Sequence, residues 1–401
     1  MIYIGDKELK QRYIGDNEVS KVYIGEDLVW EAVPPYLTFS SSSSFTLATK
    51  NARKNWDGTL EYSNDAQVWT VWDGTTSLSA LNDGNKYSLF LRGTGNSVVT
   101  GNTVVSGIFT KQFVINGTAV SCSGNIETLL DYASVSRRIH PTMGAYCFMG
   151  LFYKCTALIS APDLLSVRLP ETCYRSMFEG CTSLVLPPKM LAFSLAPYCC
   201  SRMFYGCNSL TTAPFLPALT MDSFCYSAMF TDCTSLVSAP LLRSTALAPY
   251  CYGSMFSGCA NLTNVQADLP ATILQNGCYT GMFKDCTSLQ TPPSIYATVL
   301  AQRCCMAMFS GCSELQALPK LFAKQLESAC YFEMFKKCTK IKLSKTLTGN
   351  YSTEYRIPYS NSIDDGSIAE SALYEMFAET GGTFTDTPSI NTIYYTSNKV
   401  I

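Results

Sequence analysis

Met-Phe occurs at residues 177–178, 203–204, 229–230, 255–256, 282–283, 308–309 and 334–335, at steps of 26, 26, 26, 27, 26 and 26 residues. Leu151-Phe152 stands one period earlier. A cysteine lies four residues before the first residue of each pair and another four after it, giving Cys147/Cys155, Cys173/Cys181, Cys199/Cys207, Cys225/Cys233, Cys251/Cys259, Cys278/Cys286, Cys304/Cys312 and Cys330/Cys338. Three residues further on come Leu158, Leu184, Leu210, Leu236, Leu262, Leu289, Leu315 and Ile341. A chain that repeats itself at this interval is built of units that cannot bury their apolar sides alone, and stacking neighbours gives it a continuous core.

Within a unit, Leu169, Cys173, Met177 and Cys181 are spaced by four, which on a helix drifts slowly around one face. The segment Thr182-Ser183-Leu184-Val185-Leu186 before a proline suits a brief strand ended by a turn. One strand and one helical arc per unit is the arithmetic of a leucine-rich repeat of about 20–29 residues. The fold expected is therefore multidomain: a β-meander, a small β-sandwich, then an α/β leucine-rich-repeat solenoid with parallel strands and a capped C-terminus. On a helix, cysteines eight apart are about 12 Å apart, beyond the reach of a disulfide. They read best as reduced packing residues, with bonding within a unit and metal binding as the other readings.

Of the 401 residues 47% are hydrophobic and only 15% charged, against roughly 25% charged in an average globular chain. The formal charge of −2 implies no field for a polyanion, so no nucleic-acid partner is expected. The single histidine, His140, argues against histidine catalysis and ordinary zinc or iron sites. No catalytic residue, metal or cofactor is assigned. The sequence opens Met1-Ile2-Tyr3-Ile4 without a secretory pattern and contains no apolar run long enough for a membrane span. A chain made and kept in a reducing cytosol is the expectation.

Four regions follow. Residues 1–33 hold a ten-residue repeat, Tyr3-Ile4-Gly5-Asp6, Tyr13-Ile14-Gly15-Asp16 and Tyr23-Ile24-Gly25-Glu26, read as strand, turn and returning strand. So short a meander cannot stand alone in water and suggests assembly; Tyr3, Ile4, Tyr13, Ile14, Tyr23, Ile24 and Trp30 are its candidate anchoring residues. Residues 34–135 alternate short strand patterns with turns, as in a small Ig-like β-sandwich, where Trp56, Trp69 and Trp72 are either core or a sugar-stacking surface. Residues 136–341 carry about eight units, and 342–401 form a cap with a degenerate ninth copy at Ala372-Leu373-Tyr374-Glu375-Met376-Phe377. Asp364-Asp365-Gly366 reads as a plain turn, a calcium loop being the other reading.

If the repeated leucines point inward, their neighbours point out: Ser183 and Val185, Ser209 and Thr211, Ser235 and Val237, Asn261 and Thr263, Ser288 and Gln290, Glu314 and Gln316. These are the candidate ligand-facing residues. Acidic residues in the repeats (Glu179, Asp232, Asp285, Glu314) form no recurring pair of the kind glycoside hydrolysis needs.

Units of the form Cys173-Tyr174-x-x-Met177-Phe178-x-Gly180-Cys181-Thr182-Ser183-Leu184 resemble the cysteine-bearing leucine-rich repeats of surface proteins in anaerobic gut bacteria and their phages. The stretch from Tyr36-Leu37-Thr38-Phe39 to Asn125-Ile126 is similar to the β-module preceding such repeats, and the Tyr-Ile-Gly-Asp repeats resemble N-terminal segments of phage virion proteins. The resemblance implies a non-enzymatic virion structural protein, a head or tail fibre or decoration protein. It would be assembled in the host cytoplasm, anchored to other virion proteins by its N-terminus, and would display an adhesive surface to host glycan or protein. It would form a homo-oligomer, with a trimer as one form. The alternatives are a secreted or cell-surface bacterial adhesin and a glycan-depolymerising tail spike.

Overall fold

The computed structural model describes residues 36–101, 109–265, 268–360 and 366–401, and the backbone alone of short strands between 3 and 31 and at 104–105 and 108. In the first segment, Tyr3–Ile4 pairs antiparallel with Lys7–Glu8, Tyr13–Ile14 with Asn17–Glu18, and Lys21–Ile24 with Asp27–Glu31, so pairing runs within each repeat.

Alternation builds the next region. Along Leu37–Ser41 and Tyr87–Thr94, Leu37, Phe39, Leu89 and Leu91 are wholly buried while Thr38, Phe90 and Arg92 face outward. These strands belong to a seven-stranded sheet with Thr59–Ser63, Thr70–Trp72, Leu81–Asn82, Val120–Ser123 and Leu158–Ser160. A three-stranded sheet of Leu78–Ser79, Thr46–Thr49 and Phe113–Asn116 contacts it where Trp72 meets Phe113 at 5.8 Å between ring centroids.

The repeat region corrects the expected fold. The α/β leucine-rich-repeat solenoid is overturned: Thr128–Ser136, which precedes the repeats, is the one α-helix among the described residues, and the repeat strands are two or three residues long in small sheets. Where helical arcs were expected, each unit runs as a train of tight turns. Thr172, Ser176 and Gly180 all have left-handed backbone (φ 60°, 54° and 74°), as do Tyr198, Arg202 and Gly206 in the next unit and Phe224, Ala228 and Asp232 in the one after. One left-handed residue in every four gives a true period of four. A helix at 3.6 residues per turn only approximates that spacing.

The hydrogen bonds explain why turns suffice. The N–H groups of Arg175, Met177, Glu179 and Cys181 donate three residues back, to the carbonyls of Thr172, Tyr174, Ser176 and Phe178, at 3.0–3.3 Å. Those of Tyr174, Ser176, Phe178 and Gly180 donate instead into the following unit, to Cys199, Ser201, Met203 and Tyr205, at 2.8–2.9 Å. Alternate residues thus satisfy their backbone locally and across units, as buried peptide groups require. Within these turn trains the cross-unit donors from Tyr146 onward point toward later units, while the segments after the second cysteine donate back, as Val185 does to Ile159 at 3.0 Å.

Side chains follow the same register. Cys173, Met177, Phe178, Cys181 and Leu184 are fully buried, and so are their counterparts down the array. Phe152, Phe178, Phe204, Phe230, Phe256, Phe283, Phe309, Phe335 and Phe377 form one continuous ring column, with centroids 5.5–5.7 Å apart and planes within 11°. Each buried Phe contributes about 1.5–3 kcal/mol by burial. Phe377 belongs to the ninth copy, which takes donors from Tyr331, Glu333, Phe335 and Lys337 across the 342–371 insertion.

Both ends are covered. At the front, the carbonyl of Cys147 accepts from Val99 and Thr100 and that of Leu151 from Phe113, while Val120–Ser123 pairs in parallel with Leu158–Ser160. At the back, the N–H groups of Glu375 and Phe377 donate to Thr387 Oγ1 and the Asp386 carbonyl at 2.8 and 3.2 Å.

Candidate binding surface

All 19 thiols are free and buried. The second cysteine of each unit donates its S–H to the carbonyl of the column phenylalanine one unit back: Cys181 to Phe152, Cys207 to Phe178 and Cys233 to Phe204, at 3.0–3.1 Å, with Cys259, Cys286, Cys312 and Cys338 repeating the contact. Cys155 makes the same bond to Phe113 of the front module at 3.3 Å. Burial pushes the Cys155, Cys233 and Cys312 thiols up to about 12 from an ordinary value of 9.0. Protonated thiols are neither nucleophiles nor metal ligands. Among the described residues no cluster of three or more His, Cys, Asp or Glu is arranged to hold a metal ion.

His140 lies against the buried carboxylate of Glu127, with Nδ1 2.8 Å from Oε2. Glu127 also accepts from the Ser166 hydroxyl and, at 3.2 Å, from the Asn125 amide. The carboxylate sits at the centre of this cluster and accepts the serine hydrogen bond. A serine nucleophile needs the imidazole in that place. Glu179, one of the scattered repeat carboxylates, is held by Arg202 at 2.7 Å.

The candidate ligand-facing residues sit on one recurring position each. Val185, Thr211, Val237, Thr263, Gln290 and Gln316 are exposed, as is Asn261. Ser183, Ser209, Ser235, Ser288 and Glu314 are half-buried beside them, and the leucine between each pair is fully buried. Backbone bonds tie the exposed position into a ladder: Val237 donates to Thr211, Thr263 to Val237, and Gln316 to Gln290, at 3.2, 3.1 and 2.8 Å. The candidate anchoring residues Tyr3, Ile4, Tyr13, Ile14, Tyr23, Ile24 and Trp30 lie in paired strands, but their side chains are outside the described residues. So is most of the Asp364-Asp365-Gly366 turn, of which only Gly366 is described.

Sequence reasoning missed a second exposed ladder, in the connectors. Phe193 and Leu219 are adjacent there, Leu219 donating to the Phe193 carbonyl at 3.2 Å, and Ile273 and Val299 occupy the next position along in later units. These residues are exposed apolar groups in segments whose spacing carries no helical or strand period. Of the three tryptophans of residues 34–135, Trp56 and Trp72 are core, their rings tilted by 36° with centroids 5.2 Å apart. Trp69 is half-buried and lies 4.1 Å from the Arg92 guanidinium, which Tyr132 flanks on its other contact at 4.2 Å.

No helix among the described residues is long and apolar enough to cross a membrane. In comparisons with protein-family models, curated proteins and solved structures, nothing matches this chain.

Proposed function

We propose that this chain is a structural protein of a phage particle. Its N-terminal ten-residue repeats dock to other virion proteins, and its stacked units present a contact surface to host glycan or protein. The observation that carries the reading is the uncharged ladder from Val185 to Gln316, mounted on a backbone-bonded stack whose thiols are all buried and unpaired. Such a ladder offers many weak contacts, and a homo-oligomer, such as a trimer, displayed in many copies would turn them into avidity. Free thiols that serve as hydrogen-bond donors favour assembly in a reducing host cytoplasm over the alternative, an exported bacterial adhesin. A glycan-cleaving spike has less support, because Glu179 is engaged by Arg202.

Mass spectrometry of purified particles tests the proposal. Presence of the chain at a fixed copy number supports it, and recovery of the chain only from a bacterial envelope fraction overturns it. Thiol titration in denaturant adds an independent arm: the proposal expects all 19 cysteines to react, whereas extensive disulfide formation would point to export.

A further inference from the structure

The front module carries a cleft unrelated to either ladder. It opens where the strand Tyr87–Thr94 changes neighbour: Phe90 pairs with Ser63 at the end of Thr59–Ser63, and two residues earlier Ser88 pairs with Leu81 of Leu81–Asn82. Between the departing strands lies a volume of about 670 Å³, lined by Tyr62, Phe90, Leu81, Ser88, Asp65 and Asp83 among others, within the range of about 300–1,000 Å³ usual for small-molecule sites.

Its walls are fixed. Asp65 accepts from the Ser63 hydroxyl and the N–H groups of Gln67 and Val68 at 2.8–2.9 Å. Asp83 closes the facing turn by accepting from Asn85 and Lys86 at 2.9 and 3.0 Å. With its amide turned so that nitrogen faces the two acceptors, Asn64 bridges the Ser88 and Ser79 carbonyls at 3.1 and 3.2 Å. Ser88 stands apart: it is 2% exposed, lines the cleft, and its hydroxyl has no hydrogen-bond partner. A buried hydroxyl without a partner costs about 1–3 kcal/mol, which a ligand hydroxyl would recover once rotation about the Ser88 Cα–Cβ bond turns Oγ toward the cleft.

We propose that this cleft is a saccharide site that takes a hexose unit of an uncharged glycan. The half-buried rings of Tyr62 and Phe90 and the exposed Leu81 supply apolar surface for the C–H face of a sugar. Ser88, Asn82 and the two aspartates supply the donors and acceptors that hydroxyl groups need. Charge selects against acids. Neither Lys nor Arg lines the cleft, and Lys86, in the Asp83 turn, is already drawn to Asp83. Hydrogen bonds from the Val68 and Gln67 backbone hold the Asp65 carboxyl below its usual range, and those from Lys86 and Asn85 do the same for Asp83. Both are therefore anions at neutral pH, and a uronic or sialic acid would be repelled. Of the tryptophans that suggested sugar stacking, two are core. The cleft is made by residues whose sequence patterns read only as strands and turns, and the proposal holds whether the chain serves a virion or a cell surface.

Saturation-transfer NMR on the full chain, with the neutral trisaccharides maltotriose, cellotriose, mannotriose and chitotriose and with trigalacturonate as the acidic comparator, tests the site. The expected result is saturation transfer to at least one neutral trisaccharide and none to trigalacturonate. Ser88→Ala and Asp83→Asn should each weaken binding about tenfold, with the thermal midpoint of Ser88→Ala unchanged or raised, since that substitution removes a buried hydroxyl without a partner. Silence from all four neutral sugars, equal transfer to trigalacturonate, or full binding by Ser88→Ala would each overturn the proposal.

Discussion

The Cys233 thiol donates to the Phe204 carbonyl at 3.0 Å, across one unit boundary. The same oxygen accepts the N–H of Cys207 at 3.0 Å, so a backbone bond within a unit and a thiol bond between units share one acceptor. Cys233→Ala should therefore cost only about 1 kcal/mol beyond the lost packing, because the carbonyl keeps one partner. Chemical denaturation checks this, and a loss above roughly 4 kcal/mol would mean that the thiol does more than donate here.

Ala228 distinguishes turns from helix directly. Its φ is 53°, where an L-residue pays roughly 1–2 kcal/mol that glycine avoids. Ala228→Gly should be neutral or stabilise by up to about 1 kcal/mol once the entropy cost of glycine is counted. At a mid-helix site the same change would destabilise by about 1 kcal/mol. The unfolding midpoint in urea reads the sign.

Gly277 and Gly206 both have left-handed backbone, at φ 59° and 70°. A Cβ on Gly206 meets nothing within 4 Å, whereas one on Gly277 falls 2.2 Å from the Tyr250 ring, itself stacked on Phe224 at 4.9 Å. Gly206→Ala should cost about 1–2 kcal/mol. Gly277→Ala should cost clearly more, because that ring must leave its stack. Paired thermal melts would show equal losses if the Tyr250 stack were slack.

Alkali should unfold the protein cooperatively. Thiols such as Cys155 and Cys233 titrate near 9.0 when exposed and at about 12 when folded, because burial disfavours the thiolate. Their raised values leave stability intact below 9.0 and remove it as pH climbs toward 12. The thermal midpoint should be flat through neutrality and then fall steeply over that window; a midpoint that holds beyond it would contradict the burial of these groups.

The unit length, its buried residues and the outward ladder were legible because burial leaves a periodic trace: Leu184 is buried and Val185 exposed, as their alternation implies. The backbone between Cys173 and Cys181 was misread, since a spacing of four fits both a helix and a four-residue turn repeat. The discriminating signal was present in Gly180, Gly206, Gly258 and Gly311, which precede the second cysteine in four units. Glycine there marks a left-handed position, which a helix interior does not offer. The front cleft left no trace of its own, because Ser63, Ser88 and Leu81 come together only through strand pairing across the sheet.

Because every cross-unit N–H of the turn trains is aimed the same way, the two ends of that face of the stack are chemically unlike. Removing the front module would bare a row of acceptors at Cys147 and Leu151, and removing the residues after Phe377 would bare donors. Those two raw edges are complementary, so chains trimmed at both ends would join head to tail into filaments. The segments packed on the two ends therefore cover, on this face, edges that would otherwise be open to a second copy.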